Sequence, residues 1–218
     1  MYIYICVYIY IYRERERDMA RGSRRVHSLI QVSTVCIVLP KRVHVVIIVV
    51  PELYVTGYPI DDLVLRNDFL ELVENEISDL AKLTNDGKAA IILGSPRKDE
   101  DKIRNSVFVL DQGKILSFRD KHNLPNTGVF DEQRIFTPGS LSGPVKIRET
   151  LVGLPICEDI WNETVIDCLS ETGAEIIISI NASPYTTKKI DQRDIDFTVS
   201  EQRLTPSFKH KQSIDTYI

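Results

Sequence analysis

No run of apolar residues in this chain reaches the roughly 20 needed to cross a bilayer. The stretch 26–39 is interrupted by His27, Gln31, Ser and Thr and ends at Pro40-Lys41-Arg42. Clusters of Lys and Arg with interleaved aromatics are also missing, and the net charge is a mild −4, so a nucleic-acid surface is not indicated. Cysteine is scarce: the four are Cys6, Cys36, Cys157 and Cys168, and their spacing fits neither a zinc motif nor a disulfide framework. These absences predict a chain with no bound metal, no nucleic-acid partner and no membrane span. They also predict a reducing, intracellular setting, which is read as cytoplasmic. What is present is the composition of one globular domain with a proper core: 218 residues, 43% hydrophobic and 27% charged.

The two ends differ from the middle. Residues 1–17 read MYIYICVYIYIYRERER. Tyr-Ile alternation followed by Arg-Glu alternation is low complexity. It reads either as an alternating strand or as a translated dinucleotide repeat (TAT-ATA, then AGA-GAG) joined to a gene fragment. A signal peptide fits less well, because the apolar part precedes the positive charges. Residues 1–42 are therefore expected to be an atypical segment, disordered or artefactual. Residues 194–218 are polar, lack an apolar strand and read as a divergent tail.

Residues 43–193 alternate in character. VHVVIIVV (43–50) is a β-branched run typical of a buried strand. Phe69, Leu70, Val73, Ile77, Leu80 and Leu83 are spaced for a helix that starts at an Asn67 cap and stops at Asp86-Gly87. AAIILG (89–94) is a strand, and SVFVL and KILSF flank a Gly turn at Asp111-Gln112-Gly113 as a hairpin. LVGLPIC (151–157) and AEIIISIN (174–181) are strands separated by a short helix. That helix carries Val165, Cys168, Leu169 and Thr172 on one face and ends at Gly173. The alternation predicts an α/β fold with both sheet faces covered.

Three residues with chemistry stand at strand ends. Cys157, in GLPICEDIW, lies where an apolar strand gives way to an acidic segment. A cysteine there is either a small core residue or a nucleophile presented to a cleft. Glu52 follows the Val/Ile run, and Lys121 follows the strand KILSF. Each alone is equally an ordinary surface charge. Together a carboxylate, an ammonium and a thiol form the set needed for acyl transfer: a base, an oxyanion partner and a nucleophile.

That trio, in that order, resembles the nitrilase (carbon–nitrogen hydrolase) superfamily. The strings PELYVTGYPIDDLVLRNDFL, LPNTGVFDEQRIFTPG, ICEDIW and NASPYTTKKIDQR are similar to the glutaminase domains of glutamine-dependent NAD synthetases, over about residues 45–193. The resemblance implies a partial nitrilase-like αββα sandwich with glutamine as substrate. It implies Glu52 as general base, Lys121 as oxyanion stabiliser and Cys157 as nucleophile, with the N–H of Glu158 as a second oxyanion donor. Ser183 and Lys189 match residues that hold the amino-acid end of glutamine. Thr127 stands where the family commonly has tyrosine.

By the same resemblance, the glutaminase half is expected to need no cofactor. ATP belongs to a synthetase domain, and no SGGxDS-like loop for it occurs in this sequence. The expectation is a carbon–nitrogen hydrolase domain cut short at both ends, inactive as this fragment and able to form a homo-oligomer through its sandwich faces. Two other readings stay open: another amidase of the superfamily, and a non-enzymatic remnant or mis-predicted gene.

Overall fold

A computed structural model describes residues 3–11, 35–39, 45–128 and 130–184. Nine strands fall into two sheets. One has five strands in the order β2 (Val35–Leu39), β3 (Val45–Val49), β4 (Ala89–Asp99), β5 (Lys102–Asp111), β6 (Lys114–Asp120). The other has four, in the order β1 (Ile3–Ile11), β9 (Ile176–Pro184), β8 (Thr150–Gly153), β7 (Val145–Ile147). Each sheet has one parallel pair, β3 with β4 and β8 with β9, and its remaining pairs are antiparallel.

The β-branched runs pack the sheets face to face. Ile47, Val49, Ala90, Ile92, Val107 and Val109 of the larger sheet meet Val145, Ile147, Val152, Ile176, Ile178 and Ile180 of the smaller in one apolar core. A helix covers each outer face. α1 (Asn67–Leu83) lays Val73, Ile77 and Ala81 on Leu93, Phe108 and Leu110. After a short α2 (Glu132–Ile135), α3 (Glu163–Glu171) lays Val165, Ile166 and Leu169 against Ile177. The result is the expected αββα sandwich.

Several local expectations shift by a residue or two. Asn67 is the first helical residue, not a cap: Arg66 occupies the cap position without a side-chain bond, and Asn67 Oδ1 accepts from Lys98 Nζ at 3.0 Å. Leu83, at the end of the apolar stripe, is exposed, and Ala81 takes the buried place. Cys168 is half-buried rather than in the core of α3, whose buried residues are Val165, Ile166 and Leu169. The hairpin between β5 and β6 turns at Gln112 and Gly113, both with positive φ (54° and 78°), the conformation a tight two-residue β-turn demands.

Residues 1–42 are the segment read as atypical and low in complexity, with an alternating strand as one reading of its first residues. Within it, Ile3–Ile11 pairs antiparallel along β9, and Val35–Leu39 pairs antiparallel with β3. Both segments are rich in β-formers, and β9 and β3 would otherwise end their sheets with unpaired N–H and C=O groups. The tail 194–218 lies outside the described residues.

Candidate active site

Three chain reversals at one end of the sandwich bring the predicted trio together. Glu52 enters a tight turn just past β3, with Gly57 N–H bonded to Leu53 C=O at 2.7 Å. The turn presses against β4 at Gly94. A Cβ there would sit 2.3 Å from Pro51 O and 2.6 Å from Glu52 Cα, so only glycine admits this approach. Lys121 follows β6 and is held on both sides, its N–H on Asn105 C=O and its C=O accepting from Gly139, each at 2.8 Å. Cys157 follows Ile156, which bridges Ile180, and opens a 3₁₀ turn over Cys157–Trp161. Its φ is +47°, a region non-glycine residues seldom occupy and one found at functional sites.

All three side chains are buried, Lys121 at 0%, Glu52 at 1% and Cys157 at 5% exposure. A charge at that depth must be paired. Lys121 Nζ lies 2.7 Å from Glu52 Oε1 and 2.8 Å from Oε1 of a second buried carboxylate, Glu132. Asn105 Nδ2 donates to Glu52 Oε1 at 2.8 Å, and the N–H of Ala182 donates to Glu52 Oε2 at 3.0 Å. Glu52 thus accepts three donors and keeps a lone pair on Oε2. Lys121 has three protons and spends two on carboxylates.

Two carboxylates facing one ammonium leave the cluster with one negative charge too many. Burial pushes the Glu132 carboxyl up to about 7; Lys121 opposes that rise and Glu52 adds to it. Tyr58 donates its hydroxyl to Glu132 Oε1 at 3.3 Å, and its own pKa is driven up by burial first and then by Glu132 and Glu52. Burial alone would lower Lys121, but Glu52, the Cys157 sulfur and Glu132 outweigh it and hold the ammonium charged.

The Cys157 thiol is pushed up, by burial first and then by the negative charge of Glu52. Lys121 and a hydrogen bond from the Ala182 N–H pull the other way. A thiol so placed stays protonated near neutral pH. It needs a base beside it at the moment of attack, and Glu52, whose negative charge acts on the sulfur, is the carboxylate placed for that task.

The residues named for glutamine are placed less closely. Thr127 and Glu158 are exposed. Phe130, whose N–H bonds Thr127 C=O at 3.1 Å, stacks edge-on against Tyr58 with ring centroids 6.0 Å apart. Ser183 lies on β9, paired with Tyr4. Lys189 lies outside the described residues. Among the described residues, no cluster of His, Cys, Asp or Glu could hold a metal ion, and no helix is long and apolar enough to cross a membrane.

Four site residues were not legible as such: Glu132, Asn105, Asp159 and Ala182. Glu132 lies inside the string LPNTGVFDEQRIFTPG, where an acidic residue reads as solvated. Asp159 follows Cys157 by two residues and is buried, its carboxylate taking main-chain N–H groups of His122, Asn123 and Ile156.

Comparison with known proteins bears on the family and the fold. The carbon–nitrogen hydrolase family model matches residues 15–194. The glutamine-dependent NAD(+) synthetase of Rhodobacter capsulatus is 37% identical over 147 residues, 67% of this chain and 26% of that protein. The protein of the same name from Thermotoga maritima is 39% identical over 145 residues, 66% and 25%. The structure of glutamine-dependent NAD+ synthetase from Acinetobacter baumannii, in complex with ADP, superposes with a TM-score of 0.63 at 31% identity, covering 72% of this chain and 30% of that one. A carbon–nitrogen hydrolase from Helicobacter pylori G27 shares the fold, with a TM-score of 0.57 at 22% identity over 74% of this chain and 56% of that one. The chain spans about a quarter of the length of the curated relatives it matches. With the family model covering most of the sequence and the sandwich formed around a buried acid, amine and thiol, the chain belongs to the carbon–nitrogen hydrolase family.

Proposed function

We propose that this chain is the glutamine amidohydrolase half of a glutamine-dependent NAD synthetase, releasing ammonia for amidation of deamido-NAD by a separate ATP-using domain. The observation that carries the reading is the buried contact of Lys121 with Glu52 beside Cys157. The relatives at 37% and 39% identity supply the substrate class and the synthetase partner.

The chemistry follows from the free valences counted above. Glu52 takes the thiol proton on its open lone pair as Cys157 Sγ bonds to the side-chain amide carbon of glutamine. The carbonyl oxygen becomes an oxyanion, and the third N–H of Lys121 faces it, aided by the N–H of Glu158. Glu52 returns the proton to the amide nitrogen, the C–N bond breaks and ammonia leaves. A γ-glutamyl thioester remains on Cys157. Glu52 then deprotonates a water that attacks this carbonyl; the C–S bond breaks, glutamate departs and the thiol regains its proton. Glu132 keeps Lys121 aimed throughout. On this reading Thr127, Ser183 and Lys189 are the residues assigned to the amino-acid end of glutamine, Lys189 as its carboxylate partner.

Ammonia release by the full chain, from glutamine and from a panel of other primary amides, tests this. Release from glutamine that disappears in Cys157→Ala supports the glutaminase reading. Release only from other amides favours a different amidase of the family, and none from any amide favours a remnant.

A further inference from the structure

Asp159 is a buried carboxylate that the chemistry above leaves unused. Its oxygens accept four hydrogen bonds from three main-chain N–H groups. Oδ1 takes Asn123 at 2.7 Å and His122 at 3.1 Å, while Oδ2 takes Ile156 at 3.2 Å and His122 at 3.3 Å. These donors come from two separate segments. His122 and Asn123 directly follow Lys121, and Ile156 directly precedes Cys157. The Asp159 N–H returns to Ile156 C=O at 3.0 Å, closing the turn in which Cys157 holds its positive φ. A parallel link joins the same segments: Asn162 Nδ2 donates to Asn123 Oδ1 at 2.8 Å.

We propose that Asp159 is a positioning residue that staples the Cys157 turn to the strand end bearing Lys121, and so sets the nucleophile against Glu52 and Lys121. The proposal rests on the reading of Cys157 as a nucleophile activated by Glu52. A carboxylate suits the task because all of its partners are donors. An amide of the same shape would turn an NH₂ toward at least one main-chain N–H. The Asn162 link and the Ile156–Ile180 bridge remain when Asp159 is changed, so the sandwich keeps other ties across this corner.

The test is a double-mutant cycle on the full chain. The readout is the rate of Cys157 alkylation by iodoacetamide near neutral pH, followed by peptide mass spectrometry so that Cys168 is scored separately. Asp159→Asn is expected to slow Cys157 by about 10²-fold, the usual cost of misplacing a reacting group by an ångström. Cys168, remote from the staple, keeps its rate. Glu52→Gln slows Cys157 as well, and the double variant is no slower than the slower single one, because groups acting as a unit are not additive. An unchanged or faster Cys157 in Asp159→Asn overturns the proposal, as do losses that multiply. An unchanged Cys157 in Glu52→Gln overturns the underlying reading instead, whatever Asp159→Asn does. If Asp159→Asn does not fold, Asp159→Glu decides. It keeps the charge but displaces the carboxylate by one methylene from the N–H groups of His122, Asn123 and Ile156. A slowing of Cys157 absorbed in the Glu52→Gln background supports the staple, and no slowing overturns it.

Discussion

Lys121 and Glu52 meet at 2.7 Å in a site where neither side chain is exposed to solvent beyond 1%. The ammonium is there to meet charge, and it also holds two carboxylates in the core. Lys121→Ala is expected to lower glutamine turnover by about 10²–10³-fold through loss of the oxyanion partner. It also strands Glu52 and Glu132, at a cost of about 3–5 kcal/mol in a urea melt. A variant that loses activity at full stability would contradict the pairing.

The carboxyl of Glu132 makes stability depend on pH. Its folded pKa, about 7, lies above the ordinary 4.5. Between these values the folded chain holds a proton that the unfolded chain has released, so stability falls as pH rises through this window. Glu132→Gln should flatten the slope, by no more than about 3 kcal/mol across the window. Urea melts at several pH values measure this, and a wild-type chain whose stability rises from pH 5 to 7 relative to Glu132→Gln would refute it.

Gly94 is a steric gate for Glu52. Gly94→Ala places a Cβ 2.3 Å from Pro51 O, and the backbone must move. The expected cost is about 1–3 kcal/mol. Because the moving segment carries the base, turnover should fall by more than the loss of folded chain explains. Equal losses of activity and folded fraction would remove Gly94 from the site.

Much of this architecture was legible in the sequence because strands write themselves as apolar runs, even where, as in KILSF, the strand is an exposed sheet edge. VHVVIIVV, KILSF and LVGLPIC mark where strands stop, and the three reactive residues sit at those stops. Burial of charge was not legible. Glu132 and Asp159 look like surface acids in any local window, and become core residues only when Lys121 and the N–H groups of His122, Asn123 and Ile156 arrive from segments distant in sequence. Ala182 contributes only its main-chain N–H, which no side-chain pattern announces. At Ile3–Ile11 the same Tyr-Ile alternation fits both a repeat and a strand, and pairing with β9 comes from a segment distant in sequence.

Cys157 and Cys168 should behave differently. Cys168 is half-buried on α3 and outside the charged cluster. Cys168→Ala is expected to cost about 1 kcal/mol or less and to leave ammonia release unchanged, whereas Cys157→Ala abolishes release. Loss of activity in Cys168→Ala at full stability would show that the wrong cysteine has been assigned.

The most direct test of the central claim is covalent capture. A glutamine analogue with a diazoketone in place of its side-chain amide is attacked by the nucleophile and stays attached. Incubated with the full chain and read by peptide mass spectrometry, it should label Cys157, at a rate that glutamine slows and that Glu52→Gln nearly removes. Labelling of Cys6, Cys36 or Cys168 in place of Cys157, or labelling of Cys157 that glutamine does not slow, would contradict the account.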